Sequence, residues 1–329
     1  MKPHGTATTT ASGGGAAALP ARCLRCAALL LPWLARLFLA DVLLSLLLPL
    51  SALWPDACHA WSSRLAAHIW RGIQRLFTAR NRARIVVSGA AQLQPGESAI
   101  VVANHAAWAD FYMVQEVAEH AGMLPSTCWF AKSTLKWIPF LGWGLWAMDM
   151  CLVSRDWTHD KKEMARVFRG VVQREWPIWL VAYSEGSRYT ARKRLEAEAW
   201  SRAHKTPLGK HLLIPRTKGF IACVKNLRKT QHVTAVYDLT IAYADSEGNF
   251  QAPPSFVETI SRPDLDQRWR FFVHVDRHPL NTLPDGDEEL AQWLQHQWVE
   301  KGERLTRLKK MLEAGLPWED SSLSSLPLI

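Results

Sequence analysis

The stretch VVANHAAWADFYM, residues 101–113, joins a hydrophobic run to two polar residues and then to helix-forming residues. This order predicts a strand at 98–103 that ends at Asn104 and His105, followed by a helix near 107–121. Ligands of open α/β sheets bind outside the carboxyl ends of the strands. His105 is therefore a candidate functional residue.

Asp110 lies about one and a half turns after His105 in this pattern. A carboxylate that accepts a hydrogen bond from one imidazole nitrogen leaves the other nitrogen as a lone-pair base, and it stabilises the imidazolium that forms. Such a pair activates a hydroxyl group, which need not belong to the protein, since no serine occurs in a G-x-S-x-G turn. Because an isolated H-x-x-x-x-D is common by chance, other motifs must decide whether His105 and Asp110 are catalytic.

The segments beyond this stretch alternate between strand-like and helix-like patterns from about residue 83, which predicts an α/β domain. The strand candidates are 84–87, 98–103, 178–183, 211–214, 232–242 and 270–275. The helix candidates are 107–121, 158–174, 189–204, 219–228 and a closing helix at 287–314. Apolar residues make up 48% of the chain, which is enough for the core of such a domain.

Polar residues with positive charges follow several other hydrophobic runs. The turn Glu185-Gly186-Ser187-Arg188 combines a glycine, which lets backbone approach a ligand, with a guanidinium that can bind a phosphate through two N–H groups. Arg155 in LVSRDW, and Pro215, Arg216 and Lys218 in LLIPRTKGF, occupy similar positions. Because the ends of parallel strands meet at one edge of a sheet, these residues predict an electropositive pocket.

Residues 27–54 form a strongly apolar segment that is long enough to cross the hydrocarbon of a bilayer. Arg36 and Asp41 interrupt it, each at a cost of about 2.5–3.5 kcal/mol at a membrane centre. Prolines 32 and 49 can bend it. The sequence leaves open one imperfect spanning helix or a re-entrant or interfacial hairpin. The arginines that follow predict that the rest of the chain lies on the cytosolic side.

Two further N-terminal segments have distinct patterns. Residues 61–77 carry apolar side chains at helical spacing with arginine and histidine on the other faces. That pattern is typical of a basic helix on a membrane, and equally of a helix that covers the core of a soluble domain. Residues 1–26 begin with a Thr-, Gly- and Ala-rich run and are predicted to be disordered.

The composition favours an anionic or membrane partner. The formal net charge is +9, and 17 residues are tryptophan, a residue favoured where a bilayer meets water. Zinc-finger spacing, RNA-binding aromatic signatures and basic-zipper patterns do not occur in the sequence, so nucleic acid is not an expected partner.

The motifs NHAAWAD, AKSTLKWIPFLGWGLW, LVSRDW, EGSR and IPRTKGF occur in this order. Over about residues 85–315 the chain resembles the glycerolipid acyltransferases, which include 1-acylglycerol-3-phosphate acyltransferases. KWIPFLGWG and IPRTKGF are most similar to the branch that contains lysocardiolipin acyltransferases. The resemblance implies a glycerol-3-phosphate acyltransferase-like α/β fold, in which a central mixed sheet is flanked by helices and preceded by an apolar membrane-anchoring segment.

The N-terminal patterns and this resemblance together predict how the chain is divided. We expect a disordered N-terminus at 1–26 and a membrane anchor with an amphipathic helix at 27–80. An acyltransferase domain that includes the C-terminal helix would follow at 81–315, and a tail at 316–329.

The activity implied by the resemblance is transfer of a fatty acyl group from acyl-CoA to the free hydroxyl of a lysophospholipid, with 1-acyl-sn-glycerol-3-phosphate as the expected acceptor. His105 would be the catalytic base, and Asp110 would fix its tautomer. The substrate-binding residues would be Arg155, Glu185, Gly186, Ser187 and Arg188. The additional site residues would be Asn104, Lys132, Lys136, Pro215 and Lys218.

The expected partners are acyl-CoA as co-substrate, the lysophospholipid and the lipid bilayer, without a metal or a bound cofactor. The expected location is the endoplasmic reticulum membrane with the catalytic domain in the cytosol, and a mitochondrial membrane is the alternative.

Two departures from the family pattern affect the choice of substrate. Ser187 stands where the family usually has threonine, and it keeps the hydroxyl group. The residues between His105 and Asp110 are Ala, Ala, Trp and Ala, without the polar residue often found there. Alternative acceptors are therefore lysophosphatidylinositol and monolysocardiolipin. A CoA-independent transacylase and a non-catalytic membrane scaffold are the remaining alternatives.

Overall fold

The computed structural model describes residues 15–139, 141–154 and 156–318. The helices are α1 (Gly15–Leu50), α2 (Pro55–Arg75), α3 (Asp110–His120), α4 (Leu141–Ala147), α5 (Trp157–Arg174), α6 (Ala191–His204), α7 (Thr217–Leu227), α8 (Phe256–Ser261) and α9 (Asp287–Glu313). The strands are β1 (Ile85–Ser88), β2 (Ser98–Ala103), β3 (Thr127–Lys132), β4 (Cys151–Val153), β5 (Trp179–Tyr183), β6 (Val233–Asp245) and β7 (Trp269–Pro279).

The strands form one seven-stranded sheet in the order β1-β7-β6-β2-β5-β3-β4. β6 and β7 pair antiparallel, and the other neighbouring strands pair parallel. The predicted mixed sheet flanked by helices is therefore confirmed. Strands β2 to β6 run in the same direction, so their carboxyl ends lie at one edge of the sheet, which we call the carboxyl edge.

Both faces of the sheet are covered by helices, as the uninterrupted hydrophobic run of β2 requires. Val101 and Ala103 of β2 point to the face that packs against Val117 of α3. Ile100 and Val102 point to the other face, which packs against α5, α7 and α9. All six residues of β2 are buried, so the polar residues that follow this strand emerge from the centre of the core.

The apolar N-terminal segment is one continuous helix, α1, rather than a hairpin. Residues 20–50 form the one helix in the described part of the chain that is long and apolar enough to cross a membrane, judged by length and composition alone. The predicted disorder of 15–26 is wrong, because an Ala-, Leu- and Arg-rich run continues the helix and Arg25 donates to Asn81 Oδ1 at 2.7 Å. Residues 1–14 lie outside the described residues.

Helix α1 packs lengthwise against the rest of the molecule, where it contacts α2, α4 and α8. The Trp33 indole donates to the carbonyl of Ile69 in α2 at 3.1 Å, and Asp41 lies against Gly144 of α4. Helix α2 buries Ile69 and Ile73 and leaves Trp61 exposed. It therefore covers the core with one face and presents its other face to the surroundings.

One predicted strand is absent from the described structure and two observed strands were not predicted, each for a local reason. The candidate 211–214 lies in the loop between α6 and α7, where Arg194 donates to the carbonyls of Gly209 and Leu212 in place of a neighbouring strand. Strand β3 was missed because its run ends in alanine and lysine. Strand β4 was missed because three residues are too short to show a period.

Candidate active site

Two turns and a loop meet at the carboxyl edge of the sheet. The turn after β2 carries His105, and the turn after β5 carries residues 185–188. The Tyr189 N–H donates to the His105 carbonyl at 2.7 Å, and the Arg216 N–H donates to the Ser184 carbonyl at 2.7 Å. These backbone bonds hold the predicted base, the EGSR turn and the loop before α7 (residues 205–216) next to one another.

His105 and Asp110 form the predicted hydrogen-bonded pair. His105 Nδ1 and Asp110 Oδ2 are 2.7 Å apart, and the aspartate is fully buried. The backbone N–H groups of Ala106 and Ala107 donate to the same oxygen, and the Tyr243 hydroxyl donates to Oδ1 at 2.7 Å. Because a carboxylate only accepts hydrogen bonds, Nδ1 carries the proton and Nε2 is left as the basic nitrogen.

The plane of the His105 ring is fixed by an aromatic neighbour. The Tyr183 ring stacks on it with centroids 4.1 Å apart, and Phe111 contacts Tyr183 edge-on. Burial raises the pKa of Tyr183 well above its usual range, so this phenol stays neutral. Tyr183 and Tyr243 were not among the predicted site residues. Tyr243 lies 133 positions after Asp110 in the sequence, on the neighbouring strand β6, and no local sequence pattern links either tyrosine to the histidine.

Asn104 is turned into the protein, away from solvent. Its side-chain amide donates to the Ile241 carbonyl at 3.0 Å, and its side-chain oxygen accepts from the Ile241 N–H at 2.8 Å. These two bonds continue the pairing of β2 with β6 beyond the end of the strand. Asn104 therefore fixes the position of His105 by holding its backbone.

Glu185 is also buried behind the site. It accepts hydrogen bonds from the Leu213 N–H at 3.2 Å and from the Trp298 indole at 3.4 Å. Burial raises the pKa of Glu185 to about 8. The carboxyl group thus joins the EGSR turn to the loop before α7 and to α9. Pro215 is likewise buried in that loop.

The rest of the EGSR turn faces outward. Gly186 has φ of +66°, and a Cβ there would lie 2.8 Å from Arg216 Nε, so the arginine side chain lies directly on the glycine. Arg188, Arg216 and Lys218 are exposed and, within the ranges described, their side chains make no ion pair with a carboxylate. Ser187 is half-buried beside them. Arg216, which the sequence motif contains but the predicted site omits, thus joins the candidate phosphate-binding group.

The remaining predicted site residues follow β3 and β4. Lys132 ends β3 at the carboxyl edge and is exposed. Lys136 lies further along, with its ammonium group 5.1 Å from the centroid of the exposed Trp137 ring. Arg155 lies outside the described residues.

The arrangement can accept a proton and bind a phosphate. It offers a basic nitrogen held in one tautomer, beside exposed cations that can bind a phosphate. No group of three or more His, Cys, Asp or Glu side chains within the described ranges is arranged to hold a metal ion.

Comparison with protein families gives two adjacent matches. A family model described as "Acyltransferase" matches residues 84–244, and one described as "Acyltransferase C-terminus" matches residues 266–313. The first range contains the His105–Asp110 pair and the EGSR turn. The second contains the whole of α9, the helix that Glu185 contacts through Trp298.

Several curated proteins are similar to the chain. It is 31% identical over 205 residues to "1-acyl-sn-glycerol-3-phosphate acyltransferase 2" of Brassica oleracea, covering 62% of this chain and 50% of that protein. It is 32% identical over 207 residues to "1-acyl-sn-glycerol-3-phosphate acyltransferase delta" of Homo sapiens, covering 62% and 51%. It is 28% identical over 245 residues to "Lysocardiolipin acyltransferase 1" of Gallus gallus, covering 74% and 62%. The chain spans about half the length of the first two relatives.

A solved structure is also similar. The "1-acyl-sn-glycerophosphate (LPA) acyltransferase, PlsC" from Thermotoga maritima aligns with a TM-score of 0.44 and 15% identity. The alignment covers 81% of this chain and 96% of that one.

Proposed function

The chain belongs to the glycerolipid acyltransferase family, and from this membership we propose that it transfers a fatty acyl group from acyl-CoA to the free hydroxyl of a lysophospholipid. The expected acceptor is 1-acyl-sn-glycerol-3-phosphate and the product phosphatidic acid, because the Brassica and human relatives are named for that acceptor. The observation that carries the proposal is the His105–Asp110 pair, with its free Nε2 at the carboxyl edge.

In the proposed reaction, His105 Nε2 takes the proton of the acceptor hydroxyl while the oxygen attacks the thioester carbonyl. The carbon–sulfur bond then breaks, CoA leaves as a thiolate, and the imidazolium gives its proton to that thiolate. Asp110 stabilises the imidazolium in between. Binding both substrates together supplies proximity, so an acyl-enzyme is not required.

The phosphate of the acceptor would be bound by the cations beside the EGSR turn. Arg188 and Arg216 support this role because both are exposed and free of carboxylates within the described ranges, and Ser187 can add a hydroxyl donor. We propose that Arg155, Lys132 and Lys218 also contribute to binding this phosphate. Lys136, which lies further along the chain, would contribute less. Glu185, Asn104 and Pro215 would act by positioning the turns, since each is buried.

The bilayer would contact the exposed face of α1. Leu31, Phe38, Leu39 and Leu46 of that helix are exposed, and so are Trp137, Trp143 and Trp146 beside it. An apolar surface of this extent marks a membrane or partner contact. We propose the endoplasmic reticulum membrane as the location, with the catalytic domain in the cytosol, and a bilayer supply of both lipid substrates.

Monolysocardiolipin is the second candidate acceptor. The chicken relative named lysocardiolipin acyltransferase matches 74% of the chain, a longer stretch than the other relatives described above. This acceptor would use the same base and the same cations. Lysophosphatidylinositol is the further alternative of this kind.

An acceptor panel tests the proposal. Detergent-purified protein would be supplied with oleoyl-CoA and, in turn, lysophosphatidic acid, lysophosphatidylinositol and monolysocardiolipin, with His105→Ala as the blank. We expect His105-dependent product, with the highest kcat/KM for lysophosphatidic acid. A preference for another lysophospholipid would contradict the acceptor, and product from phospholipid donors without a thioester would contradict the acyl-CoA donor. No transfer to any acceptor would contradict the enzymatic proposal.

A further inference from the structure

A cavity lies at the edge of the sheet opposite His105. It has a volume of about 380 Å³ and is bordered by the end of α1, the start of α2, and α5. Asp149 and Trp176, which line it, come just before β4 and β5, whereas His105 comes just after β2. Because these strands are parallel, the cavity and the candidate active site are at opposite ends of the sheet.

The apolar walls of the cavity are held by ring contacts. Leu47, Leu48, Trp146 and Trp176 line it. The His59 ring stacks on Trp176 with centroids 4.1 Å apart, and the Arg166 guanidinium lies 4.8 Å from the centroid of Trp146. A volume of this size falls in the range of small-ligand sites, which begins at about 300 Å³.

Most charges around the cavity are paired with one another. Arg166 pairs with Asp149 at 3.3 Å and with Glu163 at 2.8 Å, and Arg174 pairs with Asp56 at 3.2 Å. These pairs neutralise two of the three arginines that line the cavity.

The third arginine, Arg169, is exposed at the rim and has no ion-pair partner in the described part of the chain. His59 directs Nδ1 to Asp149 Oδ2 at 3.4 Å, so its ring is engaged with the aspartate. The cavity therefore has one unpaired cation, Arg169, available for an anionic oxygen.

The rim of the cavity continues into the apolar surface of α1. Trp146 belongs to both, and the neighbouring Leu46, Leu50 and Trp54 are 62%, 43% and 60% exposed. A ligand that reaches the cavity along this surface must itself be apolar over part of its length. Together with the unpaired charge, this continuity indicates an amphiphile with a negative head group.

We propose that this cavity binds an anionic phospholipid. The phosphate would be bound by Arg169, and one acyl chain would lie along Leu47, Leu48 and Trp146. Such a lipid would join α1 and α2 to α5, and so fasten the apolar N-terminal helices to the domain that carries the candidate active site. The site is separate from acyl transfer and does not depend on the proposed reaction.

Native mass spectrometry of the full chain in detergent tests this inference through binding rather than turnover. The probe is dioleoyl phosphatidylglycerol, an anionic lipid that is neither the proposed acceptor nor the proposed product. Dioleoyl phosphatidylcholine and inorganic phosphate serve as competitors. The variants are Arg169→Gln, which removes the unpaired cation, and Gln173→Trp, which fills the rim from an exposed position. Lys162→Gln, an exposed charge on the same helix outside the cavity, is the matched control.

We expect one tightly bound phosphatidylglycerol on the wild type and on Lys162→Gln. Arg169→Gln should raise the Kd about tenfold, the effect of losing one hydrogen bond to a charged group. Gln173→Trp should remove the bound lipid. Equal binding by all four proteins would overturn the site, and equal competition by phosphatidylcholine would overturn its preference for anionic lipids. Displacement by millimolar inorganic phosphate would show a site for the anion alone and overturn its assignment to a lipid.

Discussion

At the scale of single residues, the orientation of His105 depends on how firmly Asp110 is held. Its carboxylate accepts four hydrogen bonds, from His105, the backbone of Ala106 and Ala107, and the Tyr243 hydroxyl. The last of these comes from β6, on the far side of β2 from the EGSR turn. Tyr243 is therefore a positioning residue that acts on the base through the aspartate.

Replacing Tyr243 with phenylalanine removes that fourth bond. We expect kcat to fall about tenfold with little change in the acceptor KM, since a hydrogen bond to a charged group contributes roughly 1.5 kcal/mol. Steady-state kinetics of Tyr243→Phe measure both constants. Tyr237→Phe is the control, because its hydroxyl lies on the same strand but donates to Glu97. Equal losses of kcat in the two variants would contradict a specific role for Tyr243.

Glu185 gives a prediction about pH. Burial raises its pKa to about 8 from the usual 4.5. The folded protein therefore keeps this proton over a range in which the unfolded chain releases it. The resulting contribution to stability is full below about pH 4.5, decreases as the pH rises and is lost by about pH 8.

The variant Glu185→Gln cannot ionise and so lacks this decline. We expect the Tm of Glu185→Gln minus the Tm of the wild type to be larger at pH 8 than at pH 5. Thermal unfolding at the two pH values measures this difference. Glu185→Ala, which leaves the Leu213 N–H and the Trp298 indole without their acceptor, should have a lower Tm at both pH values. A Tm difference between Glu185→Gln and wild type that is the same at both pH values would contradict the buried, protonated carboxyl group.

The pairing of His105 with Asp110 could be predicted from the sequence, because five positions across a strand–helix junction bring the two side chains together. The inward orientation of Asn104 and Glu185 could not. Both follow hydrophobic strands and carry polar groups, which indicates solvent. Their actual partners, Ile241 and Trp298, are more than a hundred positions away. Only the packed sheet brings such partners within reach.

At the scale of the secondary-structure elements, α9 is attached to the sheet by a buried ion pair. Lys301 is fully buried, and its ammonium group donates to Asp238 Oδ1 at 2.5 Å and to the Leu239 carbonyl at 2.6 Å. Burial lowers the pKa of Lys301, and the neighbouring Asp238 opposes that shift. The pair connects the C-terminal helix to β6.

Breaking this pair should be costly. We expect Lys301→Ala to lower the free energy of unfolding by about 3–5 kcal/mol, because Asp238 is left as an uncompensated buried charge. The double variant Lys301→Met/Asp238→Leu should recover most of the loss. Lys309→Ala, which breaks an exposed pair with Glu313, should cost less than about 1 kcal/mol. Denaturant titrations compare the four proteins, and equal losses for the two lysine-to-alanine variants would contradict the account.

The elements whose apolar residues recur at a clear helical spacing could be predicted well from the sequence. The helices at 158–174 and 287–314 are confirmed as α5 and α9 within a residue at each end. Strand β4 was beyond prediction because its three residues carry no period. The loop at 211–214 has the composition of a strand, but its backbone bonds to side chains instead of to another strand. The Leu212 carbonyl accepts from Arg194, and the Leu213 N–H donates to Glu185.

At the scale of the whole molecule, the apolar surface of α1 lies beside α4 and extends to the tryptophans near both ends of the sheet. A bilayer against this surface would adjoin the cavity at one edge and the candidate active site at the other. The same surface would then bring lipids to both places.

Charges placed on this surface should weaken membrane binding. We expect Phe38→Glu/Leu46→Glu to shift the protein from vesicles to the supernatant in a sedimentation assay, because both side chains are exposed and apolar. Leu195→Glu, on an exposed apolar position of α6, is the control and should stay with the vesicles. Retention of the double variant on vesicles at the wild-type level would contradict membrane contact through this face.

The most direct test of the central claim is the rate of oleoyl transfer from oleoyl-CoA to lysophosphatidic acid by wild type and by His105→Ala, with matched thermal unfolding curves. If His105 is the general base, kcat/KM should fall by about a hundredfold or more in the variant while its Tm stays near that of the wild type. A folded His105→Ala protein that transfers oleoyl at the wild-type rate would contradict the account.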